Sequence, residues 1–388
     1  MFLILEVFGK PILKYFEWHH LGLRINITAI YVVLLLCALV VLVIRITSYK
    51  KIQFRNEILI SFLFLFLISF VSIVSSPSIL SSDIFRIHEF YLFYFASTVI
   101  RPSLYFISGF YLLQNLNKKA FKRLFQILWG FFVLTLLLFT KKEGGILNST
   151  IIALNDHHNY IMMADALALL SIIVFSIQSS LGRKIICFLI SLIGLYVLKS
   201  RASLYAFCLL GIVMLIRFDK RFSWLALIGC LALLVKFDFF EFVRSVANHR
   251  MFRVFIGVDA SANMRNDMLR LGIEGIRNNW FFGEYMGDVL QKSKTGNYIH
   301  NLLSYWRQFG LIPFTMFILL LLKNYTNLIY AFLNHRLNSK LEFILFFGFY
   351  SLLLILFARS FHYSGIWLMF SAIPLYFVLK SESEENIC

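Results

Sequence analysis

Apolar residues in this chain come in long unbroken blocks. "ITAIYVVLLLCALVVLVI" at 27–44 and "ILISFLFLFLISFVSIV" at 58–74 are two of them. Neither alternates apolar with polar, as the roughly ten-residue strands of a membrane barrel would. Each is apolar all round and close to the length, about 20 residues, that crosses a hydrocarbon core as a helix. Reading the whole chain for such runs predicts about eleven spans. They fall near 27–47, 57–76, 96–116, 124–140, 159–179, 185–200, 203–217, 223–240, 303–323, 341–358 and 366–380.

The polar breaks between the blocks alternate in character. Lys50/Lys51/Arg55, Lys118/Lys119/Lys122/Arg123, Arg183/Lys184, Arg217/Lys220/Arg221 and Arg336/Lys340 all fall on one side. Positive charge in short loops marks the cytoplasmic side, so the acidic tail "KSESEENIC" is expected inside as well. An odd number of spans puts the amino terminus outside. Entry of residues 1–22 into the membrane, or one further span, would put both termini inside. On the opposite side the breaks at 77–95, 141–158, 200–202 and 359–365 are short, and the segment 241–302 is the one sizeable aqueous loop. Three regions follow: an amino-terminal bundle of about eight spans over 1–240, a partly helical outer loop over 241–302, and the last spans with the tail over 303–388.

Composition agrees with the pattern. Sixty per cent of the 388 residues are hydrophobic and only 15% are charged, against about half and about a quarter in soluble domains. Mean hydropathy is +0.79. A set of soluble helices would need far more polar surface. The expected fold is an all-α polytopic membrane protein of about 11–12 transmembrane helices. Of the five cysteines, Cys37, Cys187, Cys208 and Cys230 lie inside apolar runs and Cys388 ends the chain. That distribution reads as packing, with no disulfide framework. Lys10, Pro11, Lys14, His19 and His20 interrupt the first 25 residues, unlike a cleavable signal peptide.

Charge in the outer loop changes the picture further. It carries eight basic residues (Arg244, Arg250, Arg253, Arg265, Arg270, Arg277, Lys292, Lys294) against six acidic ones. Plain solvation explains them, because long loops escape the positive-inside rule. So does an anionic ligand, since arginine makes forked bonds to phosphate and carboxylate. Within the loop, "MRNDMLRLGIEGIRNN" repeats Met264, Met268, Leu271 and Ile276 at near-helical spacing. Arg270 and Glu274, four apart, predict a surface ion pair. Arg265 stands near the start of that helix, where backbone N–H groups favour an anion.

Two more charged positions lie at the mouths of spans. Arg201 in "LKSRASLYAF" sits between two apolar runs with almost no loop. Charge at that depth marks a substrate path or a buried partner, or snorkels to the interface. His300 in "NYIHNLLSYWRQFGLIPF" precedes a span containing Arg307. A histidine there serves proton transfer or simple hydrogen bonding. His157, His158, His249 and His362 also fall on the outer side, but without HExxH or paired His/carboxylate spacing. No Walker A loop or DxD pair is present. No metal, cofactor, nucleotide or nucleic acid is therefore expected.

Taken in order, "NDHHNYIMMADAL" at 155–167, "SRAS" at 200–203, "MRNDMLRLGIEGIRNNWFFGEYMGD" at 264–288 and "HNLLSYWRQFGLIPF" at 300–314 resemble motifs of the bacterial O-antigen ligase and O-antigen polymerase superfamily. The resemblance covers roughly residues 140 to 325. It departs at Trp280, where a proline is common, and at Glu284-Tyr285-Met286, which stretches a Gly-x-Gly between Gly283 and Gly287.

The resemblance implies glycosyl transfer on the periplasmic side from an undecaprenyl-pyrophosphate-linked oligosaccharide. It implies catalytic roles for Arg201, Arg265 and His300, and substrate-binding roles for Arg270, Arg277, Asn301 and Arg307. The implied partners are that lipid-linked glycan, membrane lipid, a chain-length regulator and a flippase. The compact loop and "LLSYWRQFGLIPF" sit closer to the polymerases than to the ligases. A permease or flippase of lipid-linked sugars is the other class, and it would spread charge through several helices, often with internal repeats.

Overall fold

Every apolar block that falls within the described residues is helical. A computed structural model describes residues 56–82, 84, 87–138, 140–143, 146–149, 159–219, 260–292 and 298–385. The expected spans 27–47 and 223–240 lie outside the described residues, as do Lys50, Lys51, Arg55, Lys220, Arg221 and loop residues 241–259.

The helices are α1 (Asn56–Val74), α2 (Ser76–Leu80), α3 (Ile87–Phe95), α4 (Arg101–Asn115), α5 (Lys119–Leu138), α6 (Asn159–Ile177), α7 (Leu181–Val197) and α8 (Arg201–Phe218). They continue as α9 (Ala260–Asn278), α10 (Gly287–Lys292), α11 (Leu303–Phe309), α12 (Leu311–Asn334), α13 (Ser339–Phe357) and α14 (Gly365–Glu385). A short antiparallel hairpin, Thr140–Glu143 with Ile146–Ser149, pairs Thr140 to Ser149. Among the described residues six helices are long and apolar enough to cross a membrane. The protein is a helical membrane protein. The α4 and α7 segments, 15 and 17 residues long, fall short of that length.

Contacts divide the chain into two units. Unit 1 is Met1–Phe121 with Met268–Cys388, and unit 2 is Lys122–Asp267. In lipid, helices gain little from hydrophobic exclusion, so close packing and small residues hold them together. In unit 1, α4 and α14 touch at Gly109, where an added Cβ would lie 2.0 Å from Ser371 Oγ and 2.5 Å from the Leu368 carbonyl oxygen. Phe64 of α1 stacks on Trp367 of α14 at 5.1 Å, and Phe317 of α12 stacks on Tyr305 of α11 at 4.1 Å. Those four rings are the buried centre of unit 1.

In unit 2, Gly211 of α8 admits the Phe188 ring of α7. The Trp129 indole of α5 donates to Ser171 and Ser191 at 3.1 and 3.2 Å. Lys184 is fully buried, donates to the Phe175 carbonyl at 2.9 Å, and lies between the Phe175 and Phe218 rings. A lysine read from sequence as a loop charge thus also joins the ends of α6, α7 and α8.

Two expectations need correction. The span expected at 303–323 begins at Leu311 and runs to Asn334, and 303–309 is a separate short helix. Gly310, with φ +80°, ends the first helix and starts the second, a backbone state that glycine adopts without strain. Arg270 and Glu274 are both exposed on α9, and among the described residues no ion pair joins them. Solvated pairs gain too little to hold two long side chains in place.

Candidate functional site

One end of unit 1 brings together a cluster of buried polar side chains. Its geometry starts at Pro102, which supplies no N–H and crowds the carbonyl four residues back. The helix relaxes around it: Ala96–Ile100 is a π segment, and the Arg101 N–H donates to Ala96, five residues earlier. Such widened turns recur at functional sites. Here it turns Ser97 and Thr98 toward other segments. Ser97 Oγ lies 2.7 Å from His362 Nδ1, and Thr98 Oγ1 lies 3.2 Å from the Tyr285 hydroxyl.

His362 belongs to the turn between α13 and α14. Its ring is packed by Phe361 at 3.9 Å, Tyr298 at 4.8 Å, Tyr94 at 4.9 Å and Phe93 at 5.6 Å. Nε2 is sealed from solvent and, among the described residues, has no hydrogen-bond partner. Burial pushes this imidazole down to about 3, and Arg101 and then His300 act on it electrostatically in the same direction. His300, half-buried, reaches the same group through Tyr298, whose ring centre is 5.0 Å from its own.

A second network holds the segment 284–291 against this cluster. Asp288 is buried in the first turn of α10 and accepts from the Tyr94 hydroxyl and, at 2.8 Å, from the Gln308 side-chain amide. The other end of Gln308 accepts from the Met286 N–H at 2.7 Å, which steadies Met286 at φ +59°. Three elements are thereby tied through one carboxylate. Beside it, burial raises the Glu284 carboxyl above the usual range, the Arg307 charge lowers it, and the Asp288 charge raises it again. Burial likewise pushes the Tyr285 phenol up to about 12.

The residues singled out from sequence are distributed as follows. His300, Asn301 and Arg307 lie in unit 1 with this cluster. Asn301 Oδ1 accepts from the Leu303 N–H at 3.0 Å, so the side chain satisfies a first-turn amide of α11. Arg307 is buried, donates to Gln291 at 3.2 Å, and packs where Gly275 leaves room: an added Cβ there would lie 3.1 Å from Nε. Arg270 and Arg277 are exposed on α9, Arg277 in its last turn. Arg265 is half-buried on the stretch of α9 that belongs to unit 2.

Arg201 also belongs to unit 2. It is the first residue of α8, after Lys199 at φ +54° and an extended Ser200. Ser203 donates to Asp165 at 2.9 Å, which pins this turn to α6. A cation is the wrong charge for a helix amino terminus, so Arg201 gains nothing from the dipole of α8.

Sequence reading missed Tyr94, Ser97, Arg101, Asp288, Gln308 and the centrality of His362. One signal was available: Arg101 interrupts the apolar run 96–116 just as Arg201 interrupts its own. The others are ordinary polar residues until the fold joins them. Among the described residues no three His, Cys, Asp or Glu side chains gather closely enough to hold a metal. No family model, curated protein or solved structure matches this chain.

Proposed function

We propose that this chain is an O-antigen polymerase, a periplasm-facing glycosyltransferase of the bacterial inner membrane. It would join undecaprenyl-pyrophosphate-linked oligosaccharide units into a longer polysaccharide. The observation that carries the reading is the meeting of His300, His362 and Arg101 at one end of unit 1. A polyprenyl pyrophosphate has an apolar tail for the spans and a multiply charged head for such an end. Fixed cations stabilise the charge that grows on that head as the glycosidic bond breaks.

In this reading an acceptor sugar hydroxyl attacks the donor's anomeric carbon. The carbon–oxygen bond to pyrophosphate breaks, and the leaving group keeps the electron pair. His300 orients the hydroxyl or takes its proton. The family resemblance would give neutralisation of the pyrophosphate to Arg201 and Arg265 of unit 2; within unit 1, Arg270, Arg277 and Asn301 would be further contacts, and Arg307 positions the loop. The accompanying topology is about 11–12 spans with basic loops in the cytoplasm and residues 241–302 in the periplasm.

Transfer of the glycan to lipid A core, the ligase reaction, uses the same donor and is the second reading. A flippase of lipid-linked sugars is the third; concentration of charge at one end favours the enzymes over it. Deleting the coding sequence from its host and resolving lipopolysaccharide on a gel separates them. Core carrying a single repeat unit is the expected result. Core alone points to the ligase, or to the flippase if no lipid-linked units accumulate outside. Returned on a plasmid, His300→Ala, Arg201→Ala and Arg265→Ala should insert normally yet fail to restore long chains.

A further inference from the structure

The turn that joins α9 to α10 carries three large apolar side chains in a row. Trp280 is 53% exposed, Phe281 39% and Phe282 80%. Proteins in water seldom leave such a contiguous apolar group uncovered unless something binds it. What lies beside it is fixed by α12. The Leu311 N–H, at the first residue of that helix, donates to the Phe281 carbonyl at 3.0 Å. The Trp306 indole donates to the Trp280 carbonyl at 2.7 Å, and its ring stacks on Phe314 of α12 at 5.1 Å. The turn therefore cannot leave the head of the helix.

The depth of that head follows from α12 itself. Its exposed large apolar side chains run from Ile312 to Leu333. At 1.5 Å per residue these span about 30 Å, the thickness of a bilayer's hydrocarbon core. Ile312 then marks the edge of the hydrocarbon, and Phe281 lies at the same level. We infer that Trp280, Phe281 and Phe282 form an interfacial anchor that enters the boundary between headgroups and acyl chains beside α12. Its partner is bilayer lipid. Aromatic rings favour that depth, and Arg277, exposed three residues earlier in the last turn of α9, offers a cation to lipid phosphates.

The anchor has a consequence beyond glycosyl transfer and does not depend on it. The Glu284 N–H donates to the Arg307 carbonyl at 2.7 Å, directly after the anchor. Lipid contact at 280–282 thus holds Glu284, and through it Arg307 at the end of α11, near the membrane edge.

Trp280 is its own reporter. The full-length protein is reconstituted into phosphatidylethanolamine–phosphatidylglycerol vesicles whose acyl chains are brominated either near the headgroup or near the methyl end. Subtracting the emission of Trp280→Phe from that of the unmodified protein isolates this indole. Most of the difference emission should disappear with shallow bromines and survive with deep ones. Survival in both with the red-shifted spectrum of a wet indole would overturn the inference, because the turn would face water. Survival in both with a blue-shifted spectrum would overturn it too, because protein would cover the turn. Phe282→Trp adds a second indole two residues on, and its added emission should follow the same depth order, independently of any disturbance caused by removing Trp280.

Discussion

His362 sits in the fold as a neutral ring, because Phe361, Tyr298, Tyr94 and Phe93 exclude the water that a charged one would need. In the unfolded chain a histidine titrates near pH 6.5, whereas here burial lowers it to about 3. Between those values the unfolded chain takes up a proton that the folded protein refuses. The ring's contribution to stability is therefore complete above about pH 6.5 and is lost as pH falls toward 3, by up to about 1.4 kcal/mol per pH unit. Thermal unfolding in detergent between about pH 7.5 and 4.5 should show this decline. His362→Gln keeps a polar partner for Ser97 and cannot titrate, so its curve should be flatter. An identical slope would move the effect to another group. Arginine identity is the other matter at this scale: if forked bonding to phosphate is what Arg201 supplies, Arg201→Lys should restore little of the long-chain glycan lost in Arg201→Ala. Full restoration would reduce its role to a point charge.

At the scale of elements, the break at Gly310 organises the end of the bundle. Gly310 and Gly283 both have positive φ, and their backbones lie in contact. A Cβ on Gly310 would come within 2.2 Å of the Phe281 carbonyl oxygen, and one on Gly283 within 2.3 Å of the Gly310 nitrogen. Gly310→Ala must therefore both strain the backbone and push the two segments away from each other. A loss on the order of 2 kcal/mol or more is expected, read as a lower unfolding temperature. Gly130, which faces open space, is the control, and Gly130→Ala should cost nothing. Equal effects at the two sites would mean that the crossing is not tight. The π segment at 96–100 is a similar device, because Pro102 creates the slack that turns Ser97 to His362 and Thr98 to Tyr285.

For the whole molecule the outstanding matter is sidedness. In the proposed topology, positive charge puts the 117–118 and 335–338 connections in the cytoplasm and the His300 and His362 segments on the far side. Single cysteines at Asn117, Asn338 and Lys292 in a cysteine-free background should separate accordingly in intact cells. Lys292→Cys is expected to react with a membrane-impermeant maleimide, while the other two react only after lysis. The reverse pattern would invert the protein and remove a periplasmic glycan as substrate.

Helices were legible because a bilayer leaves the backbone no choice: a long apolar run must satisfy its own N–H and C=O groups. Helical class and the approximate positions of most described spans follow from that alone, down to the isolated arginine at 201. Where a span truly starts was not legible at 303–323, because "LLSYWRQFGLIPF" carries large apolar residues on both sides of Gly310. Only the contact with Gly283, 27 positions earlier in sequence, makes that glycine a break. The site divides in the same way. His300 could be named from its place at the head of an apolar run. Its association with His362, Tyr298 and Arg101, and the bracing of the loop by Tyr94, Asp288 and Gln308, required the tertiary structure. Solvent sets the identity of each helix through local composition, whereas burial and partnership depend on which ends of distant helices pack together.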